Sequence, residues 1–348
     1  MSRHINIPVF IPHEGCPNNC VFCNQHTITG VGDKADRDIS KEIDTALSTY
    51  EGTAENAEIA FFGGSFTGID RALMVKLLDT AYRYVESGRV SAIRLSTRPD
   101  YIDREILDIL LSKGVTDIEL GLQSMRQSVL NASKRGHTAE DAERACALIK
   151  EYGFNLTGQM MLGLPCSDLQ DELYTARKII QMKCDCARIY PTVVFEETEL
   201  CEMARLGIYT PLTIDEAVTR GTEVYAELVN SGVKILRIGL QSTEALTSGE
   251  NVYAGANHSA LGELIIGEYY YKLMQKDFDR ICKTVSNGGD TLVIHCAEGE
   301  QSKVSGHKKK NKSRLLELLN NAGVKVRDIR IEACRNVNCN SLSYSIKE

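Results

Sequence analysis

Cys16, Cys20 and Cys23 fall within "EGCPNNCVFCNQ" at a spacing of C-x3-C-x2-C, and no further cysteine follows until Cys146. Each iron of a cubane 4Fe–4S cluster normally takes one cysteine thiolate. Three thiolates would leave one iron without a protein ligand, open to bind and activate something else. Gly15, Pro17 and Asn18 suit the tight loop that would wrap such a cluster. His13 keeps a second reading open, because H-x2-C-x3-C-x2-C is enough for a Cys3His zinc site. Structural zinc usually pairs two C-x2-C units and only one is present, which favours the cluster. Cysteines also bury well in cores, but three beside proline and asparagine fit a loop better than a buried strand.

Such a loop needs a scaffold. The chain has 348 residues, 43% hydrophobic and 25% charged, the composition of a soluble globular protein. That length allows one large domain plus something smaller. No run approaches the roughly 18 apolar residues of a membrane span, so no membrane association is expected. "MSRHINIPVFIPHEG" has no long apolar core and no small-residue cleavage site. The expected setting is therefore cytoplasmic, where cysteine clusters serve metal or redox chemistry rather than disulfides. Apolar runs predict buried strands at 7–11, 59–62, 92–95, 118–122, 156–162 and 187–190. Amphipathic helices lie between them. One follows Asp70 as N-cap, and another starts at Thr138 with Asp141 three residues on, as in a capping box. Six strand–helix units imply a parallel sheet with helices outside, and periodicity does not decide between an open sheet and a barrel. The polar candidates cluster just after the strands: the Cys loop, Gly63-Gly64, Ser96 and Arg98, Gln123, and Gly163. Sites at the C-terminal ends of parallel strands are the rule for both architectures.

With Phe22 as the aromatic, C-x3-C-x-aromatic-C resembles the radical S-adenosylmethionine (SAM) superfamily. The resemblance implies an α/β fold built on a partial (β/α)6 barrel. It also implies an open iron that chelates SAM, and one-electron cleavage to methionine and a 5′-deoxyadenosyl radical. "FFGGSF" is similar to the family's Gly-Gly-Glu motif, which places Gly63, Gly64 and Ser65 at the methionine amino group. "STRPDYI" resembles the "ETRPD" segment of the Elongator catalytic subunit, with Ser96 in place of the acid and Arg98 retained. "GLQSM" puts Gln123 where relatives contact the ribose. Arg135 matches an arginine that meets the SAM carboxylate in oxygen-independent coproporphyrinogen oxidase-type enzymes, and an arginine fork suits a carboxylate. "QMMLGLP" matches their fifth strand, with Gln159 where the oxidase has Asp. "ARIYPTVVFEETELCEMARLGIYTPLT" looks like a further Elongator segment, so the similarity runs over about residues 5–239. The cysteine spacing is more compact than in that subunit. The chain also ends without room for its acetyltransferase domain, so the acetyl-CoA half of that chemistry is not expected.

The expected organisation is a radical SAM core at 1–239, a core extension at 240–286 and a small α+β tail at 287–348, with the boundary at "VSNGGD". The tail carries 11 Lys+Arg against 7 Asp+Glu, a net +4, and the rest of the −7 chain is therefore −11. "KVSGHKKKNKSR", 303–314, has six Lys+Arg and no acid. Gly306 ahead of basic residues entering a helix is similar to the G-x-x-G loop of a KH module, with Lys309 at the second glycine. A solvated lysine run weighs slightly ahead, and RNA, tRNA in particular, is kept as a candidate substrate or partner through 303–314, with a small metabolite as the alternative substrate. The electron is expected from a carrier such as flavodoxin or ferredoxin. The other class is a cluster-holding sensor or scaffold without SAM turnover, which would have no use for Gly63, Gly64, Arg98, Gln123 and Arg135. "YYYK", 269–272, could stack bases but reads better as packing. C-x-C at Cys184 and Cys186 and C-x4-C at Cys334 and Cys339 read as ordinary reduced cysteines.

Overall fold

A computed structural model describes residues 5–11, 16, 20–24, 38–240, 249, 251–286 and 291–347. His13, Gly15, Pro17, Asn18 and residues 287–290 of the expected boundary lie outside the described residues. Strands β1 (Ile5–Ile11), β2 (Ala57–Gly63), β3 (Ala92–Thr97), β4 (Val115–Gln123), β5 (Asn155–Leu162) and β6 (Cys186–Pro191) are laid side by side in chain order. After a short β7 (Val193–Phe195), β8 (Lys234–Ile238) joins beyond β6, giving seven parallel strands. The sheet curls into a half-barrel, so the barrel alternative is the one realised, with one strand more than the six units expected. The helices around it are α1 (Ile39–Ser48), α2 (Arg71–Glu86), α3 (Arg104–Ser112), α4 (Gln127–Ala132), α5 (Ala139–Glu151), α6 (Leu169–Gln181), α7 (Glu199–Arg205) and α8 (Ile214–Asn230).

Local chemistry sets the helix starts. Asp70 accepts from the Leu73 amide at 3.0 Å, and Thr138 with Asp141 forms the reciprocal capping box. Alternation along the strands divides the two faces. Ile59, Phe61, Ile93, Leu95, Ile118, Leu120 and Leu122 are buried in the apolar core. Charged residues on the other face pair with one another. Arg94 lies 3.4 Å from both Glu58 and Asp117, and Arg188 Nε is 2.7 Å from Glu119. Burial holds the Glu119 carboxyl above its usual range although Arg188 and Arg94 pull it down.

Beyond β8, β9 (Val252–Gly255) pairs antiparallel with β7, and α9 (Leu261–Lys276) packs against α8. Next come α10 (Phe278–Val285), β10 (Thr291–Cys296), α11 (Gln301–Ser305), α12 (Lys310–Asn321), β11 (Asp328–Ala333) and β12 (Ser343–Lys347). The last three strands form a sheet with β10 in the middle, parallel to β11 and antiparallel to β12. Its apolar residues Leu292, Ile294 and Ile329, with Leu315 of α12, belong to the same cluster as the barrel core. Tyr269, Tyr270 and Tyr271 are buried, so this aromatic run packs rather than stacking bases. No described helix is long and apolar enough to cross a membrane.

Candidate functional site

One cavity of about 270 Å³ opens at the C-terminal ends of the parallel strands, close to the roughly 300 Å³ lower end for small-molecule sites. Cys16, Phe22, Cys23, Gly63, Gly64, Ser65, Ser96, Arg98, Gln123, Arg135 and Gln159 all line it. Among the twelve residues picked out in the sequence, Cys20 alone is not on the wall; it is buried behind it, its Sγ 3.5 Å from Arg135 Nη1. The Cys16 thiol lies 3.4 Å from the Ser65 hydroxyl. Among the described residues no three His, Cys, Asp or Glu side chains converge on a common ion position. Cys16 and Cys23 line the cavity, and Cys20 meets Arg135 behind its wall.

Each polar group is placed by a local backbone device. Gly63 has φ +115°, and a Cβ there would sit 2.6 Å from the Ile11 carbonyl oxygen, so β1 and β2 can close only with glycine. Its neighbour Gly64 donates its N–H to that same carbonyl at 2.9 Å. The β4–β5 register slips between Gly121 and Gln123, and Gln123 takes the left-handed φ of +65°. Such irregularities re-aim side chains next to active sites. Here the Gln123 amide oxygen accepts from Gln159 Nε2 at 3.2 Å.

The two arginines differ. Arg98 is 1% exposed and grips Asp100 through Nε and Nη2, both at 2.9 Å. Burial works against its charge, yet Asp100 and the nearby Cys20 and Cys16 thiols outweigh that and raise its pKa. Its Nη1 is buried without a hydrogen-bond partner among the described residues. Arg135 donates from Nη2 to the Gly121 carbonyl at 3.0 Å, and its Nε is likewise buried and unpartnered. Two cationic groups with orphaned donors in a pocket require an acceptor. Three thiolates on an anionic cluster, together with a ligand carboxylate, would supply that charge, so the residues present fit the cluster and SAM.

Sequence reasoning missed Asp100, which satisfies Arg98 from two residues away in the same "STRPD". It also missed the apolar and aromatic wall: Phe10, Met161, Tyr190, Val193, Phe195 and Leu240. Met161 and Tyr190 stand two positions beyond Gln159 and Arg188 on their strands, and that alternation could have found them. His137 escaped notice too. It is 1% exposed with neither ring nitrogen partnered among the described residues, and burial, with Arg135 and Arg98 nearby, lowers its pKa to about 3.

Comparison with known proteins bears on this geometry. Residues 10–177 match the model of the radical SAM superfamily, and residues 184–271 match that of the radical SAM C-terminal domain. The tRNA uridine(34) acetyltransferase of Methanocaldococcus jannaschii is 32% identical over 193 residues, 54% of this chain and 33% of that protein. Elongator complex protein 3 of Saccharomyces cerevisiae is 26% identical over 251 residues, 66% of this chain and 43% of that protein. The chain spans about a third of the length of the first curated relatives it matches. Among solved structures, the archaeal Elp3 of Methanocaldococcus infernus, with residues 1–46 deleted, superposes with a TM-score of 0.61 at 23% identity. It covers 80% of this chain and 64% of that one, a likeness of fold.

Proposed function

This chain belongs to the radical SAM superfamily, and on that premise we propose that Cys16, Cys20 and Cys23 hold a 4Fe–4S cluster at which SAM is reductively cleaved to act on RNA. It is a radical SAM enzyme, and its family uses a 4Fe–4S cluster and SAM. When bound, the cluster supplies the one electron that splits SAM into methionine and a 5′-deoxyadenosyl radical. The chain's own residues bind and orient. Arg98, fixed by Asp100, and Arg135 balance the charge of the thiolates. Arg135 also offers its free Nε to the SAM carboxylate. Gly63, Gly64 and Ser65 leave room for the methionine amino group to approach the backbone, and the Gln123–Gln159 pair faces the ribose. Ser96 and Phe22 line the same wall. Phe10, Met161, Val193 and Phe195 keep water from the reacting carbon.

The observation that carries this reading is the convergence of residues from the first cysteine loop and from β2, β3, β4 and β5 on one cavity. Family enzymes need a reductant, and flavodoxin or ferredoxin is the donor class we assign. RNA as substrate class is supported by the tRNA-modifying relative, and tRNA is the form to test first. None of the twelve cysteines is in a disulfide among the described residues, and a cytoplasmic setting is part of the proposal.

The test is anaerobic reconstitution with iron and sulfide, followed by iron content and 5′-deoxyadenosine formation with SAM and a reductant. Cys20→Ala should lose both. A Cys20→Ala protein that keeps full iron and cleaves SAM would remove the cluster assignment. Added tRNA should accelerate 5′-deoxyadenosine formation. Acceleration by a small-metabolite fraction and not by tRNA would overturn the RNA half of the reading.

A further inference from the structure

The C-terminal sheet carries a basic loop on a rigid seat. Helix α11 ends at Gly306, whose φ is +75°. A Cβ there would collide with the Asn311 side chain at 2.7 Å. Asn311 is buried and its Nδ2 donates to the Gly267 carbonyl at 2.7 Å and the Val304 carbonyl at 3.2 Å, fastening the loop to α9. Arg314 adds an ion pair to Glu268 and lies 3.5 Å over the Tyr271 ring. Between these anchors Lys308 and Lys309 adopt left-handed φ of +52° and +61°, a conformation that costs non-glycine residues energy and recurs at ligand clamps.

The six cations of 303–314 divide in two. Lys303 is 3.4 Å from Glu300, Lys312 is 3.7 Å from Asp328, and Arg314 holds Glu268. Lys308, Lys309 and Lys310 are exposed and have no acidic partner among the described residues. They form a concentrated positive patch on a chain whose remainder before residue 287 is −11 by the count from the sequence. A polyanion is repelled by such a body except at the patch, so the patch sets where it lands.

The loop packs on α9, the helix that begins beside the end of β8. Leu240, just past β8, lines the cavity. Helix α9 begins against that strand end, where a Cβ on Gly262 would be 3.2 Å from the Ile238 carbonyl oxygen. His307, next to Gly306, reaches this region. Its ring lies 6.3 Å from that of His258, and its Nδ1 is 3.5 Å from Glu263 in the first turn of α9.

We propose that Lys308, Lys309 and Lys310 grip the phosphate backbone of a single-stranded RNA segment and hold it at the cavity mouth. Delivery to that mouth rests on the radical SAM reading above; the grip itself does not. Lysines on a glycine-led loop entering a helix suit phosphates, which take the ammonium charge; the Lys309 and Lys310 amides already donate to the Gly306 and His307 carbonyls. No side chain caps α12.

The test is tRNA binding by the reconstituted protein at several salt concentrations, comparing wild type with a K308Q/K309Q/K310Q variant and a K308R/K309R/K310R variant. Wild type and the Arg variant should bind at low salt. Loss of three single-strand phosphate contacts should flatten the slope of log K against log salt by about 2 in the Gln variant, at roughly 0.7 per phosphate. Iron content and melting temperature report that the fold is retained. Equal affinity and slope in wild type and the Gln variant would overturn the proposal. So would failure of wild type to bind tRNA while it binds polyglutamate through the same lysines. SAM cleavage without RNA reads the cavity separately: if no preparation forms 5′-deoxyadenosine but the slopes differ as expected, the grip stands and the cavity reading falls.

Discussion

At Gly121 a side chain has been given up to make room for two others. A Cβ there would lie 2.8 Å from Arg135 Nη2 and 3.0 Å from Gln123 Nε2. Both are flexible tips, so Gly121→Ala should fold and displace them. Losing one charge-assisted hydrogen bond costs roughly 1.5–3 kcal/mol, about tenfold to a hundredfold in affinity. Calorimetry on the reconstituted variant should show SAM affinity weakened by that factor with little change in melting temperature. Arg135 itself is a poorer test, because its contact with Cys20 makes iron content and SAM binding fall together. The sequence disclosed residues whose chemistry is in their side chains, and it was silent on partners set by burial. His137 is one of these. The unfolded chain protonates it near its ordinary value, and the folded protein refuses the proton down to about 3. Between these values the unfolded state binds more protons, so this group makes stability fall as pH falls. His137→Leu should remove that contribution. Urea midpoints at pH 7 and pH 5 should differ less in the variant than in wild type, and an equal difference would mean the imidazole titrates normally.

Elements were legible where the apolar runs are strong. The strands expected at 59–62, 92–95 and 118–122 lie within β2, β3 and β4, because both neighbours of each are paired and one face is packed under helices. Short pieces escaped. β7, β9 and β12 have three to five residues each and lie at sheet edges, where pairing partners rather than pattern decide the fold. Helix α12 starts at Lys310, inside the basic run, since lysine is a good helix former and the run reads as loop only by charge. The turn at Gly63 was legible as two glycines but not as a steric lock. Gly63→Ala must move either β1 or the loop after β2, because the atom it meets is the Ile11 backbone oxygen at 2.6 Å. That change, unlike Gly121→Ala, should lower both melting temperature and iron content. Retention of both would show that the strand ends can part without disturbing the cysteine loop.

At the scale of the whole molecule, the C-terminal sheet is joined to the barrel by a continuous core and by a buried polar knot. Tyr270, fully buried on α9, donates its hydroxyl to Glu300 and accepts from the Asn340 amide at 3.2 Å. Tyr225 donates to Asn340 Oδ1 at 2.8 Å, and Tyr269 to the Asn340 carbonyl at 3.2 Å. Three tyrosines from α8 and α9 thus hold one asparagine before β12. Glu300 is 6% exposed, so the Tyr270 phenol is one of the few groups satisfying that carboxylate. Removing one partner of a buried charged group costs about 1–3 kcal/mol or more, whereas the lost hydroxyl leaves the ring packing intact. Tyr270→Phe should therefore lower the melting temperature by a few degrees without changing iron content or SAM affinity, because no cavity residue touches the knot. It should also speed proteolysis of the segment after residue 286 selectively, since the hydrogen bonds lost are those that dock it. Uniform proteolysis along the chain, or an unchanged melting temperature, would mean that the shared apolar core alone holds the C-terminal sheet in place.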